Sequence, residues 1–244
     1  MDSVVHALVD SVAHLLLSNS ASLLASLDCS LWSSVGEIHQ KKRVDQSLYI
    51  FVCDNQTHSC VDLELFPNYL KHAGAYDRIT TIDIQLCSGS AHHEHLKSDF
   101  PILKKFLSYK LVLDEIIVIQ GQADNLPYFI YELVTVPAKT IRFSQLVTEN
   151  MRFFDWHFKN NYMLKNVSVK KLGSVLPLAE LWKKCSKAQN LVVQFGRTVH
   201  KEEDYIDQLR SAGFVFSDMR PFADLKHPLD EEKVLTLDLN RELF

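Results

Sequence analysis

Glycine and proline are scarce in this chain, seven of each in 244 residues, which excludes long flexible or proline-rich linkers. Glycine-rich phosphate cradles are missing with them. There is no Gly-x-Gly-x-x-Gly and no Gly-x-x-x-x-Gly-Lys-Ser, and scattered glycines cannot build a loop whose amides wrap a phosphate. No Gly-x-Ser-x-Gly elbow presents a hydrolase nucleophile. An excess of positive charge is absent too: the net charge is −4, the wrong sign for a nucleic-acid partner. No apolar run reaches the ~18 residues that cross a bilayer. Residues 4–17 are apolar, but no Lys or Arg precedes them and His6, Asp10 and His14 interrupt them, so they are not read as a signal peptide. The five cysteines, Cys29, Cys53, Cys60, Cys87 and Cys185, are odd in number and widely spaced. They read as reduced thiols of a cytoplasmic or nuclear protein, with Cys29 and Cys185 as small buried hydrophobes.

Metal-ligating patterns are equally thin. His92-His93-Glu94-His95 packs ligand-type residues together, but adjacent residues diverge in space, and no Cys-x-x-Cys or His-Glu-x-x-His supports them. Cys53, His58 and Cys60 lack a further pair of ligands. No metal and no cofactor is expected. Phe153-Phe154-Asp155-Trp156-His157-Phe158-Lys159 is aromatic and basic enough for a nucleic-acid platform, yet its spacing suits a helix packed in a core, and the charge favours the core.

What is present is a short alternation that keeps returning. Ile82-Asp83-Ile84, Ile116-Ile117-Val118, Ile141-Arg142-Phe143, Val167-Ser168-Val169, Leu191-Val192-Val193, Phe214-Val215-Phe216 and Leu235-Thr236-Leu237 each place two apolar residues around a variable one, at steps of 21 to 34 residues. In the first five, Ile79, Leu113, Ala138, Leu164 and Ala188 stand three positions earlier. Strand-like units at such periods mark a stacked repeat, in which each unit buries its face only against its neighbours. Helical stretches at 100–109, 127–134, 178–185 and 201–210 return the chain, which predicts a right-handed α/β stack. The expected fold is a leucine-rich-repeat-like curved parallel sheet with helical returns, its seven strands in sequence order from Ile79 to Asn240. The long first step needs an insertion, assigned to the loop 88–97. A hairpin over 47–65 precedes the stack.

Residues 1–43 differ from the rest. Val4, Val5, Leu8, Val12, Leu15 and Leu16 fall at helical spacing. Ser18 to Ser20 can start a second helix, and a third runs from Cys29-Ser30 to the basic Lys41-Lys42-Arg43. The organisation is therefore a three-helix module over 1–43 and a repeat domain over 44–244.

In each strand the two apolar side chains point into the stack and the middle one points out. The outward column comprises Asp83, Ile117, Arg142, Ser168, Val192, Val215 and Thr236. Two positions on stand Gln85, Ile119, Ser144, Lys170, Gln194, Ser217 and Asp238. Asp83, Arg142, Ser168, Lys170 and Gln194 are the residues expected to meet a protein target. A plain solvated sheet surface would look the same.

A small helical module ahead of a repeat stack resembles an F-box protein. Met1-Asp2-Ser3-Val4, Leu8-Val9-Asp10-Ser11-Val12, Leu31-Trp32 and Lys41-Lys42-Arg43 look like the opening of nematode F-box-like proteins, some of which carry a domain named for F-box and Fog homology. F-box segments usually have a proline near the start of the first helix, where Val5 or its neighbours stand here. The resemblance implies a non-enzymatic substrate receptor of a cullin-type ubiquitin ligase. A Skp-type adaptor would then bind Leu8, Val12, Leu15, Leu16, Leu23 and Leu27. The alternative role for those residues is to cap the open end of the stack. Alternative functions are a repeat scaffold for protein–protein interaction without the ligase link, and an enzyme of undetected type. Neither a nucleic-acid nor a membrane partner is expected.

Overall fold

The structure, a computed structural model, describes residues 2–15, 18–53, 56–86, 98–108, 112–119, 128–144, 151–170, 172–195, 202–217 and 222–238. Helices α1 (Asp2–Leu15), α2 (Ser18–Ala25) and α3 (Ser30–Lys42) open the chain. Val9, Ala13 and Val35 close a small apolar cluster, against which Leu24, Leu31 and Trp32 pack. Gly36 permits it: a Cβ there would strike the backbone of Leu24 and Ala25, so α2 and α3 meet at main-chain distance. The buried His39 donates from Nε2 to the Asp10 carboxylate at 2.9 Å, tying α1 to α3. Lys41 and Lys42 occupy the last turn of α3, where the helix dipole favours cations. The His39 ring meets Tyr76 edge-on at 5.3 Å and Lys42 lies over the same Tyr76 ring.

The rest is α/β. The strands are β1 (Val44–Cys53), β2 (Gln56–Val61), β3 (Glu64–Leu65), β4 (Asp77–Leu86), β5 (Leu113–Ile119), β6 (Ala138–Phe143), β7 (Asn166–Val169), β8 (Leu191–Phe195), β9 (Val215–Phe216), β10 (Phe222–His227) and β11 (Asp230–Asp238). The helices are α4 (Phe66–His72), α5 (Phe100–Leu107), α6 (Tyr128–Val134), α7 (Met151–Asn160), α8 (Val175–Lys184) and α9 (Glu202–Ser211). All eleven strands join one mixed sheet in the order β3-β2-β1-β4-β5-β6-β7-β8-β11-β10-β9. The seven from β1 to β11 in that order are parallel. At each end the chain doubles back into antiparallel pairs, β1/β2/β3 on one side and β11/β10/β9 on the other.

The alternation is explained by a sheet covered on one face. Ile82, Ile84, Ile116, Val118, Ile141, Phe143, Val167, Val169, Leu191, Val193, Leu235 and Leu237 are all buried. They form one core with α4 to α9, through side chains such as Phe66, Leu103, Ile130, Phe154, Leu178 and Leu209. The earlier positions Ile79, Leu113, Ala138, Leu164 and Ala188 are buried as well, so the first five units read apolar-x-x-apolar-x-apolar because three side chains of each enter the core. Crossovers that share one hand put the helices between successive neighbouring parallel strands on the same side of a sheet.

Two expectations are corrected. The sheet is mixed, and Phe214-Val215-Phe216 does not stand between β8 and β11. Val215 and Phe216 form the outer edge, antiparallel to β10. Phe214 instead completes the end of α9: its amide donates to the Leu209 carbonyl at 3.0 Å and the Gly213 amide to Arg210 at 2.9 Å. Gly213 takes φ +97 there, the conformation that this double cap requires. The place vacated in the parallel row is filled at the other end by β1, the first strand of the expected hairpin. Its antiparallel partner is β2, and β3 follows across a two-residue turn at Asp62 and Leu63. The Phe153–Lys159 stretch lies in α7, with Phe153, Phe154, His157 and Phe158 buried. Of the cysteines, Cys185 is buried as expected, whereas Cys29 is exposed, because it precedes the first turn of α3 instead of facing a core. Residues 88–97, the expected place of the insertion, hold the His92–His95 run and lie outside the described residues. No described helix is long and apolar enough to cross a membrane.

Candidate functional site

The face of the sheet opposite the helices carries the alternate side chains, and the pairing register sets them in rows. One row runs Tyr49, Asp83, Ile117, Arg142, Ser168, Gln194, Asp238. The next, two residues toward the strand starts, runs Ser47, Thr81, Glu115, Thr140, Asn166, Val192, Thr236, Asp224. This corrects the expected column: Ser168 stands beside Gln194, and Val192 falls in the second row beside Asn166. Apolar spacing alone aligns Val167 with Leu191, whereas the sheet aligns it with Val193.

Within these rows polar side chains bridge adjacent strands. Arg142 donates from Nε to Glu115 at 2.5 Å. Ser168 donates to the Gln194 carbonyl oxygen at 3.3 Å, and the Gln194 amide donates to Asp238 at 3.5 Å. Thr236 donates to Asp224 at 2.7 Å. Burial pushes the Asp83 carboxyl up from its ordinary range and the nearby Glu115 adds to it, against a stabilising bond from Gln85. Toward the start of β4, Arg78 is buried and donates to the Val112 carbonyl at 2.7 Å. Burial lowers its pKa to about 10, and neighbouring Arg43 acts in the same direction.

Of the residues singled out for a target, Asp83, Arg142, Ser168 and Gln194 are brought into one row. Arg142 is exposed and Asp83 and Gln194 are half-buried. Ser168 departs from expectation: it is only 1% exposed, wedged between the Arg142 and Gln194 positions. Lys170 is exposed just past the end of β7. Sequence reasoning missed Tyr49 and Glu115. Glu115 sits two residues before the variable position of its unit, and Tyr49 enters the row because β1 joins the parallel stack. The Glu115–Arg142 pair could have been sought as opposite charges on the same face of adjacent units, displaced by two residues, since Glu115 pairs with Thr140 and Arg142 with Ile117.

On the opening helices, Leu8 and Leu23 are 64% and 67% exposed, and Val5 and Leu27 are exposed too. Val12 is half-buried. The side chain of Leu15, and Leu16 altogether, lie outside the described residues.

Comparison of the chain with protein-family models finds no match, and searches of curated proteins and of solved structures find none.

Proposed function

We propose that this chain is a non-enzymatic protein-binding subunit, a substrate receptor of a cullin-type ubiquitin ligase acting in the cytoplasm or nucleus. In this reading α1 to α3 form an F-box-like module that docks a Skp-type adaptor, and the leucine-rich-repeat-like stack holds the target on its open face. The observation that carries it is the exposure of Leu8 and Leu23 on helices whose other faces already close the Val9–Ala13–Val35 cluster. Leucines left outside a finished core suit an interface better than a cap, because a cap would bury them against the stack. The open sheet face, with Asp83, Arg142, Gln194 and Lys170 along one side, supplies the mixed polar surface of a recognition site. A scaffold without the ligase link is the second reading, favoured by the missing proline near the start of α1.

Binding of purified full-length protein to a purified Skp-type adaptor tests the proposal. Leu8→Asp with Leu23→Asp should keep the melting temperature and weaken adaptor binding about 30-fold, the effect of losing an apolar anchor worth roughly 2 kcal/mol. Early melting of that variant would identify the leucines as a cap. A wild-type chain that binds no adaptor at micromolar concentration would leave the scaffold reading.

A further inference from the structure

Where β8 and β11 part, the sheet opens into a groove. The two strands pair from Leu191 with Leu235 to Gln194 with Asp238. Before Leu235, β11 follows β10 instead, with Val234 opposite Lys226. The Val234 amide is therefore held by a side chain, donating to Asn190 Oδ1 at 2.8 Å. Lys233 reaches the Ser186 carbonyl at 3.5 Å and Asp230 at 3.3 Å. The space left between the strand starts is about 790 Å³, within the size range of ligand pockets.

Three kinds of group line it. Val192 and Val234 give an apolar floor, Gln189 and Asn190 bring carboxamides, and Lys165 and Lys233 stand at the rim. Among the described residues no lining side chain is acidic, in a chain of net charge −4. Lys233 is already paired, so the charge offered to a ligand is that of the exposed Lys165. The Gln189 carboxamide presents a donor and an acceptor together, the same pair that a peptide unit presents, while Asn190, whose oxygen holds the Val234 amide, adds a donor. An apolar floor takes an aliphatic side chain, and an ammonium at the rim takes a carboxylate.

We infer that this groove binds a short extended segment of a protein target in which an acidic residue stands next to an aliphatic one. The inference rests on the receptor reading for its biological sense, but not for its test. Immobilised full-length protein is offered a library of seven-residue peptides, and the peptide it enriches most is then labelled and titrated by fluorescence anisotropy. Enrichment of Asp or Glu beside Leu, Ile or Val is expected. Lys165→Glu should bind the enriched peptide about tenfold more weakly and lose the acidic preference in its own selection, with Lys165→Gln intermediate. Both substitutions fall on an exposed side chain, and an unchanged melting temperature checks the fold. Selection without acidic enrichment, or equal affinity for wild type and Lys165→Glu, would overturn the inference. So would displacement of the peptide by millimolar inorganic phosphate together with enrichment that ignores the aliphatic position, which would mark a simple anion site. Peptide binding without adaptor binding would leave the groove standing and remove the ligase. Adaptor binding without peptide binding would do the reverse.

Discussion

His157 and Asn161 form a buried pair one helical turn apart: the Asn161 carboxamide donates to His157 Nδ1 at 3.0 Å. His157 Nε2 donates to the Val134 carbonyl at 3.0 Å. The same Asn161 nitrogen donates to Ala138 at 2.7 Å, and its oxygen accepts the Met163 amide at 3.1 Å. The pair thereby ties α7 to the end of α6, the start of β6 and the turn into β7. Its imidazole must be neutral, since Nδ1 has to accept.

Acid should therefore unfold the protein partly through His157. Burial lowers its pKa from the ordinary 6.5 to about 3, with the Val134 bond opposing weakly. Between those values the unfolded chain binds a proton that the native state refuses, so stability falls as pH falls from about 6.5 toward 3. The slope from this group is about 1.4 kcal/mol per pH unit at most. Urea titrations at pH 4, 5, 6 and 7 should show a shallower pH dependence for His157→Gln than for wild type. Parallel curves would place the acid sensitivity elsewhere.

Gly36→Ala should loosen the opening helices and spare the sheet. The new methyl meets the backbone of α2 rather than a flexible side chain, and such overpacking typically costs 1–3 kcal/mol (roughly). Hydrogen exchange should accelerate in α2 and α3 and stay unchanged in β4 to β8. Uniform acceleration would mean that helices and sheet unfold as one unit.

Leu63→Gly should stabilise. Asp62 and Leu63 adopt φ values of 47 and 73, the left-handed region, and Leu63 is 96% exposed, so the side chain gives no packing in return. Relief of that backbone strain, less the greater freedom of glycine in the unfolded chain, should leave a gain of about 0.5 kcal/mol. The denaturation midpoint should rise with unchanged slope.

Val167→Asp should abolish folding, because a carboxylate in that core has no partner and burying one costs several kcal/mol (roughly). The companion change Ser168→Asp is expected to be harmless if the side chain is free in solvent. Its burial changes that expectation: it should destabilise measurably, though less than Val167→Asp, since Arg142 stands next to it in the row. Ser168→Ala should cost about 1 kcal/mol for the bond to Gln194. Thermal denaturation checks all three: Ser168→Ala should melt above Ser168→Asp, and Val167→Asp should show no cooperative transition.

Much of the stack is legible in sequence because three core positions recur per unit, as at Leu113, Ile116 and Val118. Placement of the last strands is not. Phe214 to Phe216 carries the same alternation as its predecessors, and period two says which face is apolar without naming the neighbour. β10 escaped notice because only Ala223 and Leu225 of its inward residues are apolar, the third being His227. That ring is satisfied locally, donating to the Cys185 carbonyl at 3.0 Å and accepting from the Leu229 amide at 3.2 Å. The row on the open face is illegible for a related reason. Register between β7 and β8 is set by where their connecting segments end, so a slip of two residues preserves every apolar position and changes which polar groups meet.

The antiparallel ends also bear on how such a chain can change in length. Each parallel strand from β4 to β8 touches only its two neighbours, whereas β3 and β9, two residues each, offer almost nothing for a further strand to pair with. Duplication of a strand–helix unit between β4 and β8 would therefore lengthen the sheet without unmaking either end. The same unit appended to the outer side of β9 would find no ladder to join. Copy number in this architecture is free in the middle and fixed at the rims.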